Sequence, residues 1–345
     1  MKSLFRTLAL IVLISTALSS CKKDDDPQGQ SQDIPASSGR VLISCEGSFL
    51  GVNASISAYN PENKLLVNDV FQTANGQALG DVLQSLNIRN GKVYAMVNNS
   101  GKVSVMEKEG LVAESPITGF SSPRFMLPIS NQKAYVSDLF SGGVAVVDLA
   151  TKVITAQINL NSWTEEMLLD GDFAYVTSAD KDKVYVINVN TDMLVDSIQV
   201  TMGPVSLAKD AQNKLWVLCS GYFGAADPKL HRIDLSTSTV MATMNIPSPF
   251  AYQMRMAISP DKMRIYVMNN TVYAMNIDAT ALLPIPVVPF TGNAYGLGIS
   301  PLNGDVYVAD VADFTNPGKV FRYSSSGVVL DSMVVGIAPN GFLFQ

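Results

Sequence analysis

The sequence predicts an all-β protein, a seven-bladed β-propeller of four-stranded antiparallel blades whose ring is closed by the C-terminal strand. Three observations carry this reading. A strand-rich unit recurs at a near-constant interval, most copies have room for four short strands, and Ala338–Phe344 (APNGFLF) forms an inner strand with no blade of its own. The clearest copy is Lys133–Ile158, KAYVSDLFSGGVAVVDLATKVITAQI. It reads as a strand at Tyr135–Ser137, a polar loop at Asp138–Gly143, a strand at Val144–Leu149, a turn at Ala150–Lys152 and a strand at Val153–Ile158. Pro123–Ile129 supplies another strand upstream, closed by the turn Ser130–Gln132. Four strands in a period of roughly 40–45 residues mark a propeller blade.

The aromatic residue of the second strand counts the blades. Tyr94, Tyr135, Tyr175, Trp216, Tyr266 and Tyr307 follow one another at nearly even spacing, stretched only between Trp216 and Tyr266. Gly39–Ser44 (GRVLIS) adds a copy with Leu42 at the marker, which makes seven. That first copy lacks an inner strand of its own. Ala338–Phe344 is the strand that completes it, removing an exposed sheet edge.

Upstream of the ring, Met1–Ser20 carries Lys2 and Arg6, an apolar core at Leu8–Ile14 and small residues before Cys21. The apolar run is too short to span a bilayer, and the pattern is that of a secretory signal. The small residues preceding Cys21 resemble a bacterial lipobox, which implies lipidation of Cys21. Residues 21–38 are expected to be a disordered tether, with KKDDD at Lys22–Asp26 followed by a polar stretch. The propeller is expected over residues 39–345.

Dropping Lys2 and Arg6 with the signal leaves 22 basic against 30 acidic residues, a net charge of −8. That balance argues against a nucleic-acid partner. Hydrophobic residues make up 47% of the chain and charged residues only 16%, which suits blades stacked face to face. Cys45 and Cys219 follow second strands of non-adjacent blades, too far apart for a disulfide, so two free thiols are expected.

Long loops are unevenly placed. They fall at Glu46–Asn53, Gln72–Asp81, Ser220–Pro228, Ile246–Gln253 and Val311–Gly318, whereas blades two to four have short ones. In an up-and-down blade, the start of the first strand and the end of the second lie on one face. Every long loop belongs to that face, where the funnel of the ring opens, and loops on a rigid scaffold are where binding residues concentrate.

By register, Asp81, Arg124, Glu165, Glu166, Tyr252, Arg255, Tyr295 and Asn340 lie where inner strands begin. Glu46, Asn98, Asp138, Asp180, Tyr222, Phe223, Asn269, Asp310 and Phe314 follow second strands. The ligand-binding candidates among these are Arg124, Tyr222, Phe223, Tyr252, Arg255, Tyr295 and Asn340. Asp138, Asp180 and Asp310 either cap turns or face a ligand. The aromatics either pack beneath loops or supply binding area. Arg124 and Arg255 either take an acidic group of a ligand or pair with a neighbouring carboxylate.

Catalytic signatures are missing. The single histidine, His231, sits in a strand pattern (KLHRIDL) and reads as a packed side chain. One histidine cannot build a multi-histidine metal site, and no cysteine pair supplies the missing ligands. There is no CxxCH, GxSxG or P-loop. The expectation is a binding protein with no catalytic residue, metal or cofactor.

The repeat KAYVSD…GGVAVVDLATKVI resembles the YncE-type (YVTN-repeat) seven-bladed propellers over Gly39–Gln345. Ile43–Gly47 (ISCEG), Asn68–Gly80 (NDVFQTANGQALG) and Asp81–Asn99 resemble the DUF5074 lipoproteins of Bacteroidota. That set includes BtuG-type surface proteins, which capture cobalamin for a TonB-dependent transporter. Cys45 stands where such relatives often carry Asn. The resemblance implies an outer-membrane lipoprotein anchored through Cys21 at the cell surface, a corrinoid ligand and a TonB-dependent partner. The alternative is a protein- or glycan-interaction module with no small-molecule ligand.

Overall fold

The computed structural model describes residues 34–222, 225–247 and 253–345. Seven small antiparallel sheets surround a central axis. Blade one is made of Pro339–Phe344, Val41–Cys45, Ser55–Asn60 and Leu65–Val67, in that spatial order. The C-terminal strand is therefore its inner strand, pairing Val41 with Phe344 and Ile43 with Phe342. Blades two to five and blade seven each contribute four consecutive strands. The third runs Pro123–Pro128, Lys133–Asp138, Gly143–Asp148 and Val153–Asn159, close to the sequence reading at most strand ends.

Blade six keeps three laddered strands, Met254–Ile258, Arg264–Asn269 and Thr271–Asn276. Its outer position is held by a single bridge between Val272 and Val288, with the Val272 amide 3.2 Å from the Val288 carbonyl. Pro284, Pro286 and Pro289 flank that bridge and remove the amides a longer ladder would need.

Burial follows position within the blade. Second strands such as Lys92–Val97 and Lys133–Asp138 are buried on both faces after their first residue. Outer strands such as Met193–Gln199 are largely exposed. The marker aromatics Tyr94, Tyr135, Tyr175, Trp216, Tyr266 and Tyr307 are all buried. Their regular spacing reflects one demand: the same site between adjacent blades must be filled in every repeat.

Turns on the face without long loops share one device. Asp148, Asn188 and Asp234 end third strands, and each side-chain oxygen accepts backbone amides from the turn that follows. The chain also joins the ring on this face. Ile34 packs against the core between blades one and two, and Ser37 Oγ donates to Glu109 Oε1 at 2.5 Å. Arg40 is fully buried. It donates to the Pro35, Glu109 and Lys108 carbonyls and to Gln345 Oε1, tying the start of the ring, its end and blade two together.

Cys45 and Cys219 are buried free thiols, and burial pushes the Cys45 thiol up to about 12. His231 is packed, as its strand position predicts. Its Nδ1 is 2.9 Å from Thr243 Oγ1, and its Nε2 accepts the Thr201 amide at 3.1 Å. Among the described residues no helix is long and apolar enough to cross a membrane, and no cluster of His, Cys, Asp and Glu fits a metal ion.

Candidate functional site at the mouth of the funnel

Six of the seven inner strands carry a β-bulge at the same level. The register slips between Leu83 and Ser85, Pro123 and Met126, Thr164 and Met167, Pro204 and Ser206, and Ala294 and Gly296. In blade one it slips where Asn340 stands between Pro339 and Gly341. A bulge frees one residue from the ladder and re-aims its side chain. The second residue of the inner strand is thus Gln84, Arg124, Glu165, Val205, Arg255, Tyr295 and Asn340 around the ring. In blade six Arg255 occupies this position without a bulge.

These side chains meet across blade boundaries. Arg124 faces Glu165 in a fork, with Nε 3.0 and 3.1 Å from the two carboxylate oxygens and Nη2 2.9 Å from Oε1. Its Nη1 donates to Gln84 Oε1. Glu166 turns the other way, accepting Ser206 Oγ at 2.7 Å and the Leu207 amide at 3.0 Å. Adjacent in sequence, the two glutamates serve opposite neighbours and form no acid–base pair.

Asn340 is 3% exposed. Its Nδ2 donates to Glu46 Oε1 at 2.8 Å and to the Leu83 and Gln84 carbonyls, while its Oδ1 accepts Ser44 Oγ at 2.5 Å. Tyr295 donates to Glu46 from blade seven, 3.1 and 3.2 Å from its two oxygens. Glu46 is therefore clamped between the first and last blades. Burial pushes the carboxyls of Glu46 and Glu166 above the ordinary range, offset in part by hydrogen bonds and by Arg255.

The two arginines resolve differently. Arg124 is spent on Glu165. Arg255 forms no ion pair among the described residues; the Gln253 amide oxygen, oriented to its donors, lies 2.7 and 2.6 Å from Nη1 and Nη2. Its field still reaches Glu46 and Glu166 across the funnel.

Above this ring stand the lip aromatics. Tyr295 packs edge-on to Phe314 at 5.2 Å, and Trp163 bridges Phe140 and Tyr222 at 6.1 and 6.2 Å. Tyr222 (φ 49°) and Phe314 (φ 63°) both hold left-handed backbone, an uncommon state for bulky residues and one that collects at functional surfaces. Phe223 and Tyr252, also expected here, lie outside the described residues, as does Cys21.

The aspartates that follow second strands prove to be turn caps. Asp138 accepts the amides of Ser121, Ser122, Phe140 and Ser141. Asp180 accepts Trp163 N and Ser162 Oγ, and Asp310 accepts Asn293 N and Ala312 N. Each closes its own blade by joining the end of the second strand to the lead-in of the inner strand. Sequence reasoning missed Gln84, Trp163 and Phe140. The signal for Gln84 was its place just inside the inner strand, one repeat before Arg124.

Fold and rim together define a seven-bladed propeller with a polar, charged ring at the loop-rich mouth of its funnel. The chain belongs to the family described as "Domain of unknown function (DUF5074)", which matches residues 39–326. No curated protein matches the sequence. Among solved structures it is similar to a quinonprotein alcohol dehydrogenase-like protein from Bacteroides thetaiotaomicron, with 17% identity, a TM-score of 0.68 and coverage of 89% of this chain and 78% of that one. It is similar also to a putative 6-phosphogluconolactonase from Bacteroides fragilis, with 15% identity, a TM-score of 0.68 and coverage of 90% and 98%. Hydrazine synthase from Kuenenia stuttgartiensis gives 15% identity, a TM-score of 0.66 and coverage of 75% and 88%. At these identities the likeness shows the fold alone. The enzyme names establish no activity for this chain.

Proposed function

We propose that the protein is a binding protein that captures a small ligand over the mouth of the funnel. The observation that carries this reading is the ring itself. Equivalent positions in blades six, seven and one are held by Arg255, Tyr295 and Asn340, and the last two clamp Glu46 beneath aromatic lip loops. Arg255 forms no ion pair among the described residues, Tyr295 and Tyr222 bring aromatic rings to the lip, and Asn340 acts by holding Glu46 in place. The ligand class these groups suit is a large, amide-fringed, partly apolar molecule. A corrinoid fits that description, and the resemblance to BtuG-type proteins points the same way.

In this reading Cys21 carries the lipid that holds the protein at the outer membrane. The chain enters the ring on the short-turn face, so the loop-rich face lies opposite the point where the tether joins. That arrangement suits handing a ligand to a TonB-dependent transporter. A second reading, docking of a protein partner, draws on the exposed apolar side chains Phe49, Leu50 and Phe140 on the same face. Calorimetric titration of the full chain with cyanocobalamin separates the two. One-to-one binding is expected, and absence of binding by calorimetry and by a second method would sink the corrinoid.

A further inference from the structure

A separate concavity opens at the outer edge of the loop-rich face, between blades seven and one. It encloses about 410 Å³, at the small end of the range for ligand pockets of about 300–1,000 Å³. Three chain segments wall it: the start of a blade-one strand around Asn53–Ser55, the linker from Asn68 to Leu79, and the end of the blade-seven outer strand, Val334–Ile337. None of the ring residues described above lines it.

The linker is the unusual element. Blades three, four and five are each reached by short connections, at 119–122, 160–163 and 200–203, whereas residues 68–82 connect blade one to blade two. The insertion holds a short helix, Val70–Asn75, which buries Val70 and Phe71 against the core and leaves Asp69 and Gln72 at the cleft. Opposite it, the blade-seven outer strand breaks register between the pairs Lys319–Val334 and Pro317–Ile337. Gly336 sits in that break, where a Cβ would fall 2.3 Å from Ser55 Oγ and 2.9 Å from Cys45 Cβ, so a side chain there would push this wall away from blade one. The opposite edge requires left-handed backbone at Val52 (φ 52°), a β-branched residue that resists it. These irregular elements converge on one small cavity.

Its chemistry is selective. The floor is apolar, from Ala54, Phe71, Leu79 and Val335, all buried. The exposed rim mixes apolar Val52, Ala78, Pro317 and Val334 with polar Asn53, Asn68 and Gln72, and its one charged group is Asp69. Among the described residues neither the Asp69 carboxylate nor the Gln72 amide has a hydrogen-bond partner or ion pair. No cation lines the cleft, which disfavours phosphates and carboxylates. Asn53 and Asn68 are held in part by the Ser48 amide and the Val334 carbonyl. That leaves the Asp69 carboxylate beside the Gln72 amide, a donor and acceptor together, to match vicinal hydroxyls, and the apolar floor matches the C–H face of a sugar ring. We propose that this cleft is a second binding site, for a neutral sugar of one or two rings, independent of whatever the funnel holds.

The test is saturation-transfer NMR followed by titration on the full chain, with glucose, galactose, N-acetylglucosamine and cellobiose as probes. At least one sugar is expected to bind. Two variants should weaken it by about tenfold or more, one by occupying the cleft and the other by removing hydrogen bonds to a charged group. Ala78→Phe fills the cleft from an exposed position. Asp69→Asn removes the charge while keeping a residue at ease in left-handed backbone. Arg255→Ala, in the funnel, should leave sugar binding unchanged. The proposal is overturned if none of the four sugars binds, if binding survives Ala78→Phe, or if choline binds where no sugar does.

Discussion

Replacing Asn340 with Ala should weaken the ring at its seam. The side chain is buried and makes hydrogen bonds to Ser44, Glu46, Leu83 and Gln84, which belong to blades one and two. Alanine leaves the Ser44 hydroxyl and two carbonyls short of a partner, and among the described residues Glu46 keeps Tyr295 as its side-chain hydrogen-bond donor. A neutral buried hydrogen bond contributes about 1 kcal/mol and one to a charged group about 1.5–3 kcal/mol, with orphaned groups adding to the cost. A net loss of about 3 kcal/mol follows. For a body of this size each kcal/mol moves the melting temperature by roughly 2 °C, so a drop of about 6 °C is expected by differential scanning fluorimetry. Asn340→Asp should be worse at pH 8 than at pH 5, because it sets a second carboxylate against Glu46. A melting temperature indistinguishable from wild type for Asn340→Ala would refute the clamp.

Three further outcomes are expected. Deleting Ala338–Gln345 removes the inner strand of blade one, with Phe342 and Phe344 that pack on Tyr307 at 5.6 and 5.3 Å; the whole ring should lose its cooperative unfolding transition, and an unchanged melting curve would refute closure. Cys21→Ser should release the protein from the membrane fraction without changing its melting temperature, and retention would count against lipidation. His231, whose pKa burial pushes down to about 4 from 6.5, is neutral in the fold over a range where the unfolded chain binds a proton. Stability from this group is full above about pH 6.5 and is lost as pH falls towards 4, by up to ~3 kcal/mol. Glu46 and Glu166, with raised pKa values, act in the opposite sense, so the slope belongs to His231 only if His231→Gln flattens it in denaturant titrations.

The ring was legible in the sequence because blade packing repeats one buried site. Tyr94, Tyr135, Tyr175, Trp216, Tyr266 and Tyr307 must fill it at a regular spacing, and the orphan APNGFLF could only close the circle. The uneven loops were legible for a topological reason, since two loop classes share one face. The funnel ring was half visible. Arg124, Glu165, Arg255, Tyr295 and Asn340 were placed at the starts of inner strands, but nothing local to the sequence distinguished Arg124, locked to Glu165, from Arg255. Partners one repeat apart are set by blade geometry. The helix Val70–Asn75 was hidden because it is too short to show a helical period, and its cleft needed a bulge in a strand near the other end of the chain.

Side-by-side titration of cyanocobalamin into wild type, Arg255→Ala and Lys262→Ala tests the central claim most directly. Lys262 lies at the opposite mouth of the funnel, beside a cavity of about 480 Å³ lined by Leu168, Leu207 and Ile258. The account predicts one-to-one binding to wild type and to Lys262→Ala, and a loss of about 10- to 100-fold for Arg255→Ala at an unchanged melting temperature. Full affinity in Arg255→Ala, or a loss confined to Lys262→Ala, would contradict it.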